Sequence, residues 1–159
     1  MKQLKLKSAS YLMAIILFSV TLSMSNQLFA QNSDLVTVQS AKSYDNTVDQ
    51  LKTMISKNGM MVLSEINHGK ILSMTGLKMN GVSLFVGNPQ IGKKIFSVEK
   101  GVGVAVPIRI NVFEGDDGKT YINYFKPSAT LSSFNNKTVK ETAMMLDKKV
   151  HMLTSMVAK

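Results

Sequence analysis

The clearest periodicity lies at the end of the chain. Val139, Ala143, Leu146, Val150, Leu153 and Val157 recur at spacings of three and four with polar residues between them, which predicts an amphipathic helix over residues 138–157. Thr138 and Glu141 stand at capping-box spacing and are its expected start. Met145, Met152 and Met156 border the apolar stripe, where a flexible thioether is expected to fill gaps in the core.

Upstream, the period alternates between two and three to four. Residues 35–44 begin with β-branched alternation and read as a first strand. Asp45 can cap a helix carrying Val48, Leu51 and Ile55 at helical spacing, ending at Asn58-Gly59, where glycine suits a left-handed stop. Residues 60–66 are a second strand. A short helical turn is expected over 67–76, capped by Asn67, closed by Gly76 and packing Ile71 and Leu72 inward.

Residues 82–86 form an apolar run of strand length, and Asn88-Pro89 then sets a capping residue before a proline, a specific helix start. Ile91, Ile95, Phe96 and Val98 are its expected buried side, Lys93 and Lys94 its wet side, and 101–103 its break. Residues 104–113 and 119–125 read as strands joined by the acidic-glycine loop 114–118. Pro107 cannot donate to a ladder, so its strand is expected at a sheet edge or bulged. This order of elements predicts a single-domain α+β sandwich, a mostly antiparallel sheet with helices on one face.

The N-terminus follows a different pattern. Lys2, Lys5 and Lys7 precede a charge-free apolar stretch over 11–22, and polar residues then lead to Phe29-Ala30. Positive, apolar, then small is the order of a cleavable secretory signal. Cleavage is expected after Ala30, with Ser25 as the alternative because Leu28 is bulky for its position. The apolar stretch is shorter than the roughly 20 residues of a permanent span, so no membrane span is expected after cleavage; a retained N-terminal anchor is the alternative. The expected compartment is periplasmic or extracellular, and residues 31–159 form the working domain.

Removing 1–30 leaves 129 residues, enough for one core. The absence of cysteine rules out a lipoprotein anchor, disulfides and thiol chemistry. The formal charge of +9 falls to about +6 once the three leader lysines are removed, leaving 16 basic against 10 acidic residues. Those lysines are scattered and Arg109 is the only arginine. With export, this argues against nucleic acid as a partner and fits solubility or loose attraction to anionic envelope surfaces.

From residue 43 to about 131 the chain resembles the domain-of-unknown-function 302 family. The residues that carry the likeness are the helix end at Asn58-Gly59, Ile66-Asn67-His68, the Gly87-Asn88-Pro89 turn, Pro107-Ile108-Arg109, and the acidic-glycine hairpin followed by 124–127. Family members often carry Asp before the histidine. Asn67 stands there here, so a carboxylate that would orient the imidazole is missing. The resemblance implies a TATA-binding-protein-like curved sheet backed by helices and no established activity.

His68 follows a strand end and precedes Gly69. An imidazole there can ligate a metal or haem iron, or move a proton; the plainer alternative, favoured on the residues alone, is a hydrogen bond to a loop carbonyl. Arg109 can clamp a carboxylate or be a solvated strand residue. Free amides at Asn88 can attract an anion, and Asn67 adjoins His68. Nine methionines beyond residue 30 invite a copper reading, but core packing explains them better. Asp116-Asp117 lacks the alternating spacing of a calcium loop.

No nucleophile, base and orienter assemble with specificity, so enzyme is the weaker class. The expected function is a non-catalytic binding module of the envelope. It would hold a small apolar molecule, haem or a metal between sheet and helices, with His68, Asn67, Asn88 and Arg109 as tentative contacts. Two alternatives are a structural protein that self-associates as a homodimer, or docks, through a sheet edge near Pro107, and an accessory hydrolase or redox enzyme using His68.

Overall fold

Five strands form one antiparallel sheet in the order β1-β5-β4-β3-β2, where β1 is Leu35–Ser40, β2 Met61–Asn67, β3 Gly81–Gly87, β4 Ile108–Glu114 and β5 Thr120–Phe125. The computed structural model describes residues 34–159. The expected secretory signal and residues 31–33 lie outside the described residues. Between β1 and β2 runs α1 (Tyr44–Lys57), after β2 comes α2 (His68–Ser73), and after β3 comes α3 (Pro89–Phe96). A 3₁₀ turn (Lys100–Val104) leads to β4, and α4 (Pro127–Thr130) and α5 (Lys137–Ala158) follow β5.

The sheet buries one face. Val82, Leu84 and Val86 of β3, Ile108, Ile110 and Val112 of β4, and Ile122 and Tyr124 of β5 point to the helices. Val48, Leu51 and Ile55 of α1 meet them, as do Leu146, Val150, Leu153 and Val157 of α5. The whole stripe read from the C-terminal sequence is buried. Its N-terminal end, Val139 and Ala143, packs in a second cluster with Ile95, Val102 and Leu131. Each such side chain withdrawn from water contributes about 1.5–3 kcal/mol.

Several boundaries differ from expectation for local reasons. β1 stops at Ser40, and Ser43 rather than Asp45 occupies the N-cap of α1; Asp45 sits in the first turn, where its charge suits the helix dipole. Gly59, at φ 69°, ends α1 as its sequence suggests. α5 begins at Lys137, because the Asn136 side chain accepts from the amides of Thr138 and Val139, taking the role assigned to Thr138. Glu141 instead lies 3.9 Å from Lys137 one turn away.

Residues 100–104 do more than break a helix. Glu99 caps them by accepting from the amide of Gly101, and Val102 is buried. With α3 ending at Phe96, Val98 lies outside the helix, and Phe96 and Val98 are exposed rather than buried. Ile71 is likewise exposed, since α2 buries none of its residues. Met145, Met152 and Met156 are exposed too, so they do not fill core gaps; Met60 is the methionine in the core cluster.

Pro107 precedes β4, which runs between β3 and β5 in the sheet interior. The proline therefore costs no ladder bond, and no sheet edge lies there for self-association. The edges are β1 and β2, and the irregularity lies in β2, where the register shifts between Val62 and Ser64.

One buried group in α5 is unpartnered among the described residues, the Thr142 hydroxyl. A buried hydroxyl without a partner costs about 1–3 kcal/mol. Thr142→Val keeps the shape and removes that cost. The variant is expected to melt roughly 3–5 °C higher, and a lower midpoint in a thermal scan would contradict the account.

Candidate functional site

Among the described residues, α1 and α5 pack on one face of the sheet and leave the second largely open, with only the start of α2 reaching it. Strand alternation places Ser83, Phe85, Arg109, Asn111, Phe113, Tyr121, Asn123 and Phe125 there, opposite the core-facing residues of the same strands. The register then decides who are neighbours. Ser83 pairs with Asn111, Asn111 with Asn123, and Asn123 with Thr37. Directly opposed residues lie within about 4.5–5.5 Å at Cβ, so a polar row crosses the sheet.

That row is hydrogen bonded. His68, at the start of α2, places Nε2 2.8 Å from Ser83 Oγ. Ser83 Oγ donates to Asn111 Oδ1 at 3.3 Å, and Asn111 Nδ2 donates to Asn123 Oδ1 at 3.1 Å. Ser83 has one proton to give. With it directed at Asn111, Nε2 of His68 carries the donor hydrogen; in the other imidazole tautomer the hydroxyl donates to Nε2 instead. The row is continuous from the imidazole of His68 to the amide of Asn123.

Around this row lies a concavity of about 510 Å³, lined by Leu35, His68, Met79, Ser83, Arg109, Asn111, Phe113, Asn123 and Phe125. Arg109 is the only fully charged side chain on it, is exposed, and makes no ion pair among the described residues. Phe113 stacks on Tyr121 with ring centroids 5.5 Å apart, stiffening one wall. At the rim the Tyr121 hydroxyl donates to Asp117 at 2.8 Å. That bond, foremost, lowers the Asp117 pKa and raises that of Tyr121.

Of the four residues singled out in the sequence, the concavity collects His68 and Arg109. The other two are structural. Asn67 caps α2, accepting from the amide of Lys70. Asn88 caps α3 and donates to the carbonyl of Gly59 at 2.6 Å, which ties α3 to the end of α1. His68 and Arg109 also lie on the face away from the helices, so the expected site between sheet and helices does not include them. His68 bonds a serine hydroxyl, not a loop carbonyl. It is the one His, Asp or Glu on the concavity, and no group of three or more such residues occurs among the described residues.

Ser83, Asn111 and Asn123 were missed. Their signal is a polar residue near the middle of each strand, and Asn is depleted from strands. Only the register shows that the three are adjacent.

A five-stranded antiparallel sheet with helices on one face and an open polar-aromatic surface on the other defines an α+β domain of the domain-of-unknown-function type. The chain belongs to the DUF302 family, matching it over residues 36–157, beyond the 43–131 from which the likeness was read. The crystal structure of an uncharacterized conserved DUF302 protein from Bacillus stearothermophilus superposes with a TM-score of 0.73 at 23% identity, covering 80% of this chain and 99% of that one. Among curated relatives, proteins named fluoride-specific ion channel FluC 1 in Brucella suis biovar 1 and Brucella abortus biovar 1 are 30% identical over 98 residues, 61% of this chain. The chain covers 39% and 36% of their respective lengths.

Proposed function

We propose that this protein is an exported, non-catalytic binding module that holds a small anionic molecule with a flat apolar body against the open face of its sheet. The observation that carries this reading is the concavity over the polar row. Phe113 and Phe125 supply apolar walls, Asn123 and Arg109 supply donors, and no carboxylate lines the surface to repel an anion. An exposed guanidinium without an acidic partner is well suited to a carboxylate.

The row of His68, Ser83, Asn111 and Asn123 holds no carboxylate to orient the imidazole, which supports binding over catalysis. A non-haem metal ion is the less supported occupant, since His68 would be its lone imidazole or carboxylate ligand there, short of the usual three or four. Similarity to part of proteins named as ion channels supports a place in the envelope, and the leader-like N-terminus supports export. N-terminal sequencing of protein recovered from its host is expected to begin at Gln31, or at Asn26 for the earlier cut. An intact Met1 would sink the cleaved-leader reading and favour the retained anchor.

The binding reading is tested with 1-naphthoate followed by ¹⁵N NMR. Shifts are expected along β3, β4 and β5, with Arg109→Gln weakening affinity about tenfold, equivalent to ~1.4 kcal/mol. Shifts that map elsewhere, or an Arg109→Gln variant that binds equally well, would overturn it.

A further inference from the structure

We infer that the helix-backed side of the molecule carries a second and wholly different site, which takes the alkyl chain of a single-chain amphiphile. A cavity of about 280 Å³ lies where α3 meets the sheet. Val86, Ile108 and Leu146 of the core line it on one side, Ile91 and Ile95 of α3 on another, and Leu63 and Phe96 complete the wall. It is on the opposite side of the sheet from His68 and Arg109, and does not depend on the open-face reading.

The chemistry of the lining selects the occupant. Asn88 contributes the one polar side chain, and it is already engaged: Oδ1 accepts from the amides of Gln90 and Ile91, and Nδ2 donates to Gly59. Ordered water needs roughly 2–4 polar partners, and Asn88 is the one polar side chain in the lining. A peptide segment would bring amides and carbonyls that the walls cannot satisfy. An alkyl chain demands nothing but carbon contact. The volume falls just below the ~300–1,000 Å³ of ordinary small-molecule clefts, which suits one chain and not two.

Two features of the sequence make the room. Gly92 stands on α3 between Ile95 and Phe96 on the helical wheel, facing the cavity, and a Cβ there would meet nothing within 4 Å. Glycine inside a helix is about 1 kcal/mol worse than alanine, so at this position α3 forgoes both helix propensity and wall. Leu63 falls at the register shift in β2, which turns its side chain over Gly87, where any Cβ would collide with it. Leu63 remains 51% exposed and Phe96 40% exposed. A chain threaded between them would cover both, leaving its head group in solvent.

The test uses three octyl probes of different head charge, n-octanoate, 1-octanol and octyltrimethylammonium, followed through the methyl resonances of Leu63, Ile91, Ile95 and Leu146. All three are expected to shift those methyls with affinities within about threefold of one another. The butyl analogues should bind at least tenfold more weakly, since each CH2 withdrawn from water adds ~0.8 kcal/mol. Gly92→Leu fills the space and is expected to weaken octyl binding tenfold or more, while Arg109→Gln leaves it unchanged. Affinity that follows head charge instead of chain length, silent methyls, or a folded Gly92→Leu variant that binds like the parent would each overturn the inference. The chain-length series on the unaltered protein decides the question even if Gly92→Leu does not fold.

Discussion

Ile110→Ala is expected to lower the unfolding free energy by about 2–5 kcal/mol, the range for truncating a fully buried aliphatic side chain. Ile110 is 0% exposed, lies at the middle of the central strand β4, and pairs across the ladder with Leu84, which is equally buried. α1 packs directly over β4, and α5 completes the same core cluster. No neighbour can close the gap without moving a helix or a strand, so transfer and cavity terms add. Urea unfolding followed by circular dichroism measures the loss. A change below about 1 kcal/mol would mean that this end of the core collapses freely. On the same strand, Arg109→Gln should change stability by no more than about 0.5 kcal/mol, because its side chain is exposed on the open face. That contrast separates fold from site within adjacent residues.

The second large effect is expected at Gly69. A Cβ at this position would collide with the backbone carbonyl oxygen of Met79, an atom that cannot swing away as a side chain can. Gly69→Ala must therefore part α2 from the segment leading into β3. Such overpacking costs about 1–3 kcal/mol. Because His68 begins α2 and reaches Ser83 across this junction, the 2.8 Å bond should lengthen or break. The check is twofold: a lower unfolding midpoint, and displaced imidazole resonances of His68 while those of His151, distant on α5, stay in place. Unmoved His68 resonances would show that α2 does not depend on this close approach.

The sequence-level reading succeeded where one periodicity governs a whole element. The α5 stripe, the Gly59 stop of α1 and the Asn88-Pro89 start of α3 depend on neighbours three or four residues away, and all three are found as read. It failed where two local signals competed or where burial depended on distant contacts. Asn136, two residues earlier, outcompeted the Thr138 capping box. Phe96, Val98 and the α5 methionines are apolar, yet among the described residues no element covers them.

The candidate site divides along the same line. His68 and Arg109 were legible as isolated residues with useful chemistry. Ser83, Asn111 and Asn123 were not, because side-chain alternation shows which face a residue takes but is silent about which strand lies beside it. From the amino-acid order came the elements and the α+β class, which arise from short-range periodicity and propensity. The strand order β1-β5-β4-β3-β2 and its register came only with the tertiary structure. They moved Pro107 from an edge to the approach of a central strand, placed His68 and Arg109 on the face opposite α1 and α5, and joined four polar side chains into one hydrogen-bonded row. The physical reason is that cross-strand adjacency is a long-range property, set by how the two helices seat on the sheet, and no local pattern encodes it.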